Sequence, residues 1–195
     1  MRTGRPRGFD IDSAVDAALE LFIVKGYEGA ALGELTDAMG INPPSLYAAF
    51  GNKEGLFLRT VEVYSDRVTA SMVRALDRPT AYESLEALMH SAANFYTDPS
   101  RPPGCLFIQG ALSASDRAQP VRAELARRRA SNTSLVRERL ERAVQEGDTT
   151  VTGDPARISL YVSTITTGIA VLAADSATRE QLHDAVDTAL LALRH

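Results

Sequence analysis

Apolar residues recur along this chain at spacings of three and four and nowhere in sustained alternation, so helices are expected and strands are not. Val15, Ala18, Leu19 and Phe22 form the stripe of a first helix, with Asp10 or Asp12 placed to cap it and Gly26 to stop it. A short second helix fits Leu32 to Met39 and ends at Gly40. The third, Pro44 to Phe50, has only about two turns. A fourth begins near Lys53 and carries Leu56, Phe57, Thr60, Val61, Tyr64, Val68 and Met72.

Past Arg78-Pro79 the elements lengthen. Thr80 to Tyr96 reads as a helix, Asp98 to Gly104 (DPSRPPG) as a proline-rich loop, and Gly104 to Ala114 as another short helix. Val121, Leu125, Leu135, Val136, Leu140 and Val144 mark a long amphipathic helix, with Arg127, Arg128 and Arg129 on its wet side. GDTTVTGD breaks it, and Asp154 followed by Pro155 is a cap and first position for the next. Ile158 to Ala174 then runs without a charge. It is short, and too rich in Ser and Thr, for a membrane span of about 20 apolar residues, so protein is expected to cover it on most sides, a partner chain being the natural cover. Thr178 and Gln181 form a capping box for a last helix bearing Leu182, Val186, Ala189, Leu190 and Leu193.

Composition narrows the function. The chain has 195 residues, enough for one or two small domains, and a formal charge of −4, so any nucleic-acid contact must rest on local charge. One cysteine, Cys105, excludes an internal disulfide. With His90, His183 and His195 it gives no zinc-ligand spacing, so neither metal nor other cofactor is expected. The basic start MRTGRPRGFDID has no apolar stretch behind it of the kind a signal peptide needs, and a reducing, cytoplasmic setting is expected.

The run Gly40 to Leu56, GINPPSLYAAFGNKEGL, carries the chemistry. Asn42 can cap an early helix N–H, and Pro43 and Pro44 lack N–H groups that would be orphaned there, so the helix start is stiff. Helix, glycine turn, helix is helix-turn-helix geometry, in which the second helix points its N-terminal end into the major groove. Leu46 and Phe50, four apart, face the core; Ser45, Tyr47, Ala48 and Ala49 lie on the remaining surface. The two alanines can touch thymine methyls but offer no fork to guanine, which leaves Ser45 and the N-terminal arm to contribute most of the polar readout. Lys53 opens the following helix, where its charge adds to the helix's free N–H groups as a phosphate clamp. Through residue 53 there are five Lys/Arg against seven Asp/Glu, a net −2, so phosphate contacts are expected to be few and the salt dependence shallow.

These residues resemble the TetR family of bacterial transcriptional regulators: Gly26-Tyr27, then LTDAMGI (Leu35 to Ile41), then SLYAAFGNKEGL (Ser45 to Leu56). The motif covers about the first 60 residues; the rest is similar as a series of helices, with a Gly-Cys-Leu run at Gly104 to Leu106. The resemblance implies an all-α chain with a helix-turn-helix domain and basic arm at residues 1–52 and a helical ligand-binding and dimerisation domain at 53–195. It implies a homodimer on double-stranded DNA, released from a palindromic operator by a small-molecule effector. Residue by residue it suggests Asn42, Pro43, Pro44, Ser45, Tyr47 and Ala48 at the operator, Lys53 on phosphate, and Arg5 and Arg7 as a minor-groove arm. Its last two helices pair across the dimer, placing Tyr161, Ile165, Gly168, Leu172, Leu182, Val186 and Leu190 at that interface. The chain departs from the family at Ala31, where Thr or Ser usually caps at about 1 kcal/mol, and at Gly33, inside the second helix. Thr36 and Ala49 also differ, replacing a small alanine and a frequent histidine.

Phe95, Tyr96, Cys105, Phe107, Gln109, Tyr161 and Thr164 are candidates for a ligand cavity with apolar walls and few polar groups, or equally for core. Cys105 near a helix start has two readings, a packed small residue or a thiol that senses oxidants. An enzyme built on Cys105 and His90 finds no supporting nucleophile, phosphate-loop or dinucleotide motif. A helical adaptor without DNA affinity would leave Tyr47 and Lys53 unexplained.

Overall fold

The computed structural model describes residues 10–112 and 118–193, all helices and connections, with no strand among them. In chain order these are α1 (Ile11–Gly29), α2 (Leu32–Met39), α3 (Pro43–Phe50), α4 (Lys53–Leu76), α5 (Ala81–Tyr96), α6 (Leu106–Leu112), α7 (Gln119–Glu146), α8 (Pro155–Ala174) and α9 (Arg179–Leu190). The expected arm residues Arg5 and Arg7 lie outside the described residues, as do 113 and 114 of the short helix expected from Gly104.

Local chemistry sets most boundaries. Asp10 caps α1, accepting the Asp12 N–H at 3.1 Å and the Ser13 hydroxyl at 2.6 Å. Gly26, at φ 68° and ψ 178°, breaks the helical path inside α1, a conformation open to glycine and costly for other residues. Thr80 and Thr178 each sit in a reciprocal capping box, with Glu83 and Gln181. Asp154 caps α8 ahead of Pro155.

Two hydrophobic clusters share the interior. The first joins Phe22, Leu35, Met39 and Leu46 of α1–α3, the head, to Leu56, Phe57, Val61 and Tyr64 of α4, and continues into Leu106 and Phe107 of α6 and Val121 and Leu125 of α7, in the body formed by the later helices. Phe22 and Phe57 meet edge to face with centroids 4.8 Å apart, and Tyr27 meets Phe57 at 5.1 Å. The second packs Leu85, Leu88 and Met89 of α5 with Val136 and Leu140 of α7, Val162 and Ile169 of α8, and Leu182, Val186 and Leu190 of α9. Met72 and Tyr96 border both. Helix α4 belongs to both clusters and runs about 36 Å at the helical rise, so head and body share one rigid rod.

Two sequence expectations change. Arg128 and Arg129 are half-buried rather than solvated. Arg128 bonds the buried Ser65 on α4 at 2.8 Å, and Arg129 donates to the Phe107 carbonyl, because α7 crosses beneath α4 and α6 there. Val144 is 62% exposed, since the buried stripe ends through Leu140 and Ala143 and leaves its neighbour one step round the helix. Within the chain itself, 28% of the apolar window of α8 is buried. Its length and composition alone would allow a membrane crossing, which is weak evidence for a single helix.

Candidate functional site

The head presents one exposed edge. Gly40 closes α2 in the left-handed region (φ 64°, ψ 29°), its N–H reaching the Asp37 carbonyl at 3.1 Å and the Ile41 N–H reaching Thr36 at 3.0 Å. The chain reverses there, and Asn42 Oδ1 accepts the Ser45 N–H at 2.9 Å to start α3. Leu46 is buried and Phe50 half-buried against the core, which turns Pro43, Pro44, Tyr47, Ala48 and Ala49 outward; Ser45 is half-buried at the edge of that strip. Ala31 offers α2 no side-chain cap, but Glu34 accepts the Ala31 N–H at 3.1 Å, retaining half of a capping box. Thr36, where the helices cross, is buried with its hydroxyl turned back to the Gly33 carbonyl at 2.9 Å. Nothing crowds a side chain at Gly33.

Lys53 stands at the first position of α4 beside this strip. Its ammonium lies 4.9 Å from the Tyr27 ring centroid and donates to the Glu28 carbonyl at 3.3 Å. Partial burial lowers its pKa, which the nearby Glu28 charge opposes. Lys25, by contrast, is ion-paired with Glu34. Asn52 caps α4 through the Gly55 N–H at 2.8 Å, and Gly55 lies so close to α3 that a Cβ there would sit 2.1 Å from the Phe50 carbonyl oxygen. The sequence contained that signal as the glycine of KEGL, but its spatial reason is visible only once α3 and α4 are packed.

A cavity of about 80 Å³ opens in the body between α4, α5, α7 and α8. Val68 and Met72 of α4, Leu88, Phe95 and Tyr96 of α5, Val136 of α7 and Val162 of α8 form its apolar wall. Ser71, Ser91, Asn132, Thr133, Ser163 and Thr166 supply neutral polar groups. Of the residues expected at a ligand, Phe95 and Tyr96 line this cavity, whereas Cys105, Phe107 and Gln109 do not. Cys105 and Phe107 are buried in the core by Tyr64, whose ring meets Phe107 edge to face at 4.9 Å. Thr164 is exposed and bonds back to Leu160, while Tyr161 donates its hydroxyl to the Ala189 carbonyl at 2.8 Å, tying α8 to α9. The missed polar residues had a signal of their own: uncharged Ser, Thr and Asn at apolar-stripe positions, such as Ser71 three after Val68 and Ser91 three after Leu88.

Burial pushes the Cys105 thiol pKa up, against hydrogen bonds from Tyr64 and Tyr96, so the sulfur is held neutral and enclosed. His90 is engaged elsewhere: it stacks on His183 with Nδ1 atoms 2.6 Å apart and reaches Asp187 at 3.2 Å. The residues of the enzyme alternative thus have separate partners. No cluster of metal-ligating residues occurs among the described residues.

The expected dimer residues divide. Gly168 and Leu172 are exposed on α8, and Ile165 is half-buried. Leu182, Val186 and Leu190 are buried in the chain's own core, because α9 spends its apolar stripe on α5 and α8. Exposed apolar area sits instead at Leu160 (64% exposed), Leu172 (49%) and Leu191 (64%).

A helix-turn-helix head carried on a helical body with an internal cavity defines a class of transcriptional regulators, not of enzymes. Known proteins agree with this in detail: residues 14–60 match the family model for bacterial regulatory proteins of the tetR family, and residues 81–189 match the tetracyclin repressor-like C-terminal domain. The chain belongs to the TetR family. It is 30% identical over 189 residues to the HTH-type transcriptional repressor ComR of Escherichia coli, covering 96% of this chain and 90% of that one. It is 38% identical over 120 residues to the repressor BdcR of the same species, covering 60% of each. A solved structure of the TetR family regulator CifR, a cysteine mutant complexed with 26-bp operator DNA, superposes with a TM-score of 0.92 at 39% identity. That match covers 96% of this chain and 99% of the other.

Proposed function

We propose that this protein is a homodimeric repressor whose two heads grip successive major grooves of a palindromic operator and let go when a small molecule fills the α4–α5–α7–α8 cavity. The observation that carries this reading is α4 itself, which places Lys53 and the α3 edge at one end and Val68, Ser71 and Met72 of the cavity wall at the other. In a dimer the heads must lie about 34–36 Å apart, one DNA turn, or a multiple of it. A ligand that favours another tilt of α4 shifts that spacing, and it releases DNA only by its differential affinity for the two states. Pro43, Pro44, Ser45, Tyr47 and Ala48 enter the groove, with Asn42 fixing their approach; Lys53 holds a phosphate; Arg5 and Arg7 follow the minor groove. The similar regulator CifR has been solved in complex with 26-bp operator DNA, which supports duplex DNA as the partner.

Lys53→Ala should weaken binding about equally on all sequences and lower the salt slope by about 1, measured by fluorescence anisotropy across a salt series with DNA upstream of the protein's own gene. An unchanged slope removes Lys53 from the phosphate contacts.

The uncovered face of α8 supports the dimer. Exposed Leu160 and Leu172, with Thr164, Thr167 and Gly168 between them, leave room for close helix approach. The double change Leu160→Glu and Leu172→Glu should convert a dimer into a folded monomer by light scattering at micromolar concentration. Operator affinity should drop with it, because one head alone lacks the second half-site. A wild-type protein that is monomeric under the same conditions would refute the dimer.

A further inference from the structure

The cavity's lining specifies its ligand more narrowly than its position does. Every side chain on its wall is neutral, and an ion brought there would lose its hydration without finding a countercharge. Set against an apolar cavity of about 150 Å³ that takes benzene, 80 Å³ is small, so a ligand of about six non-hydrogen atoms seats its head inside and leaves part of its body at the cavity's open side. The polar groups are not equivalent. Ser71 and Ser91 bond each other at 3.1 Å, tying α4 to α5, and Thr133 and Ser163 bond at 2.9 Å, tying α7 to α8. The half-buried Asn132 carboxamide, next to Thr133, has no hydrogen-bond partner among the described residues. It carries an acceptor oxygen and a donor nitrogen, so its best complement is a ligand head that both donates and accepts.

Resting on the effector reading above, we propose that the effector is a small uncharged molecule with a short hydrocarbon body and an amide-like head anchored by Asn132. The hydrocarbon lies against Val68, Met72 and Val136. The head competes for the Thr133–Ser163 pair, and the body presses on the Ser71–Ser91 tie that fixes α4 against α5. Both ties are walls of the same cavity, so filling it loosens the helix that carries the reading head.

The test uses three probes of similar size on the full-length protein: butyramide, its isosteric anion butyrate, and the cation n-butylammonium. Binding is followed by ligand-observed NMR. Butyramide should bind with a Kd of the order of 1 mM, as expected for so small a ligand, and the two ions at least about tenfold more weakly. Asn132→Leu should lose about tenfold or more for butyramide. Asn132→Asp, the same shape with a negative charge, should reverse the order and prefer n-butylammonium. Circular dichroism melting establishes that each variant is folded. The proposal is overturned if butyrate binds as well as butyramide, if neither substitution changes the preference, or if none of the three binds. A parallel titration on protein–DNA complexes separates the two readings. Butyramide that binds through Asn132 but leaves DNA binding unchanged at saturation retires the release mechanism and keeps the ligand class.

Discussion

Replacing Gly55 with alanine should dismantle the reading head while leaving the body folded. A Cβ at this position would lie 2.1 Å from the Phe50 carbonyl oxygen and 3.3 Å from its carbon, both backbone atoms that no rotamer change can move aside. The α3–α4 junction must open, and it is held by Asn52, whose carboxamide caps Gly55 itself. The cost should be about 3 kcal/mol, the upper range for overpacking. Once α3 shifts, its leading residues leave the base edges, and operator affinity should fall by about 100-fold, the equivalent of that energy. Gly33→Ala is the matched control. Nothing lies within 4 Å of where its Cβ would stand, and it sits inside α2, so the change should stabilise by up to about 1 kcal/mol. Urea denaturation and anisotropy on both variants check the pair. Equal effects of one sign would mean that the α3–α4 contact does not position the head.

The second large effect is expected at Arg139, buried where the end of α4 meets α5 and α7. Its Nε donates to the Leu76 carbonyl at 3.2 Å and to Ser84 Oγ at 3.0 Å, and Nη2 donates to the Arg78 carbonyl at 3.2 Å. The Leu76 carbonyl lies at the C-terminal, negative end of α4 and that of Arg78 just beyond it, so the guanidinium both satisfies them and complements the helix dipole. One nitrogen, Nη1, is buried without a partner among the described residues, so the arrangement is not optimal for the charge. Arg139→Ala removes the donors and leaves a void, and should cost about 4 kcal/mol. Arg139→Met keeps the packed stem and drops the charge together with its unpartnered nitrogen, so about 2 kcal/mol is expected, from the Arg78 carbonyl left unmet and the lost bonds to Leu76 and Ser84. Urea midpoints at constant m-value give both numbers. A Met variant as stable as the wild type would show that the carbonyls find other donors, and that Arg139 acts by filling space alone.

Arg139 also illustrates a misreading that pattern alone invites. An arginine within a polar-looking helix reads as solvated, and Arg127, Arg128 and Arg129 carry the same expectation. Only Arg127 of these three is exposed, paired with the Glu124 side chain, while Arg128 and Arg129 reach inward to Ser65 and Phe107. A long side chain can bury its stem and still deliver its head to a carbonyl, so charge by itself does not place it.

Features governed by neighbours in sequence were determined by the sequence alone. The caps at Asp10, Asn42, Thr80, Asp154 and Thr178, the turn at Gly40 and the stiff proline start of α3 act within three or four residues, where capping energies and excluded dihedrals operate without help from the rest of the chain. The head motif was recognisable for the same reason. Features that depend on which faces meet were decided by the tertiary structure. The cavity's polar groups come from four helices separated by up to a hundred residues, and each reads singly as an ordinary Ser, Thr or Asn. The apolar stripe of α9 could equally have faced a partner or its own core. Packing against α5 and α8 chose the core, because an apolar stripe specifies that it must be covered and carries no information about by what.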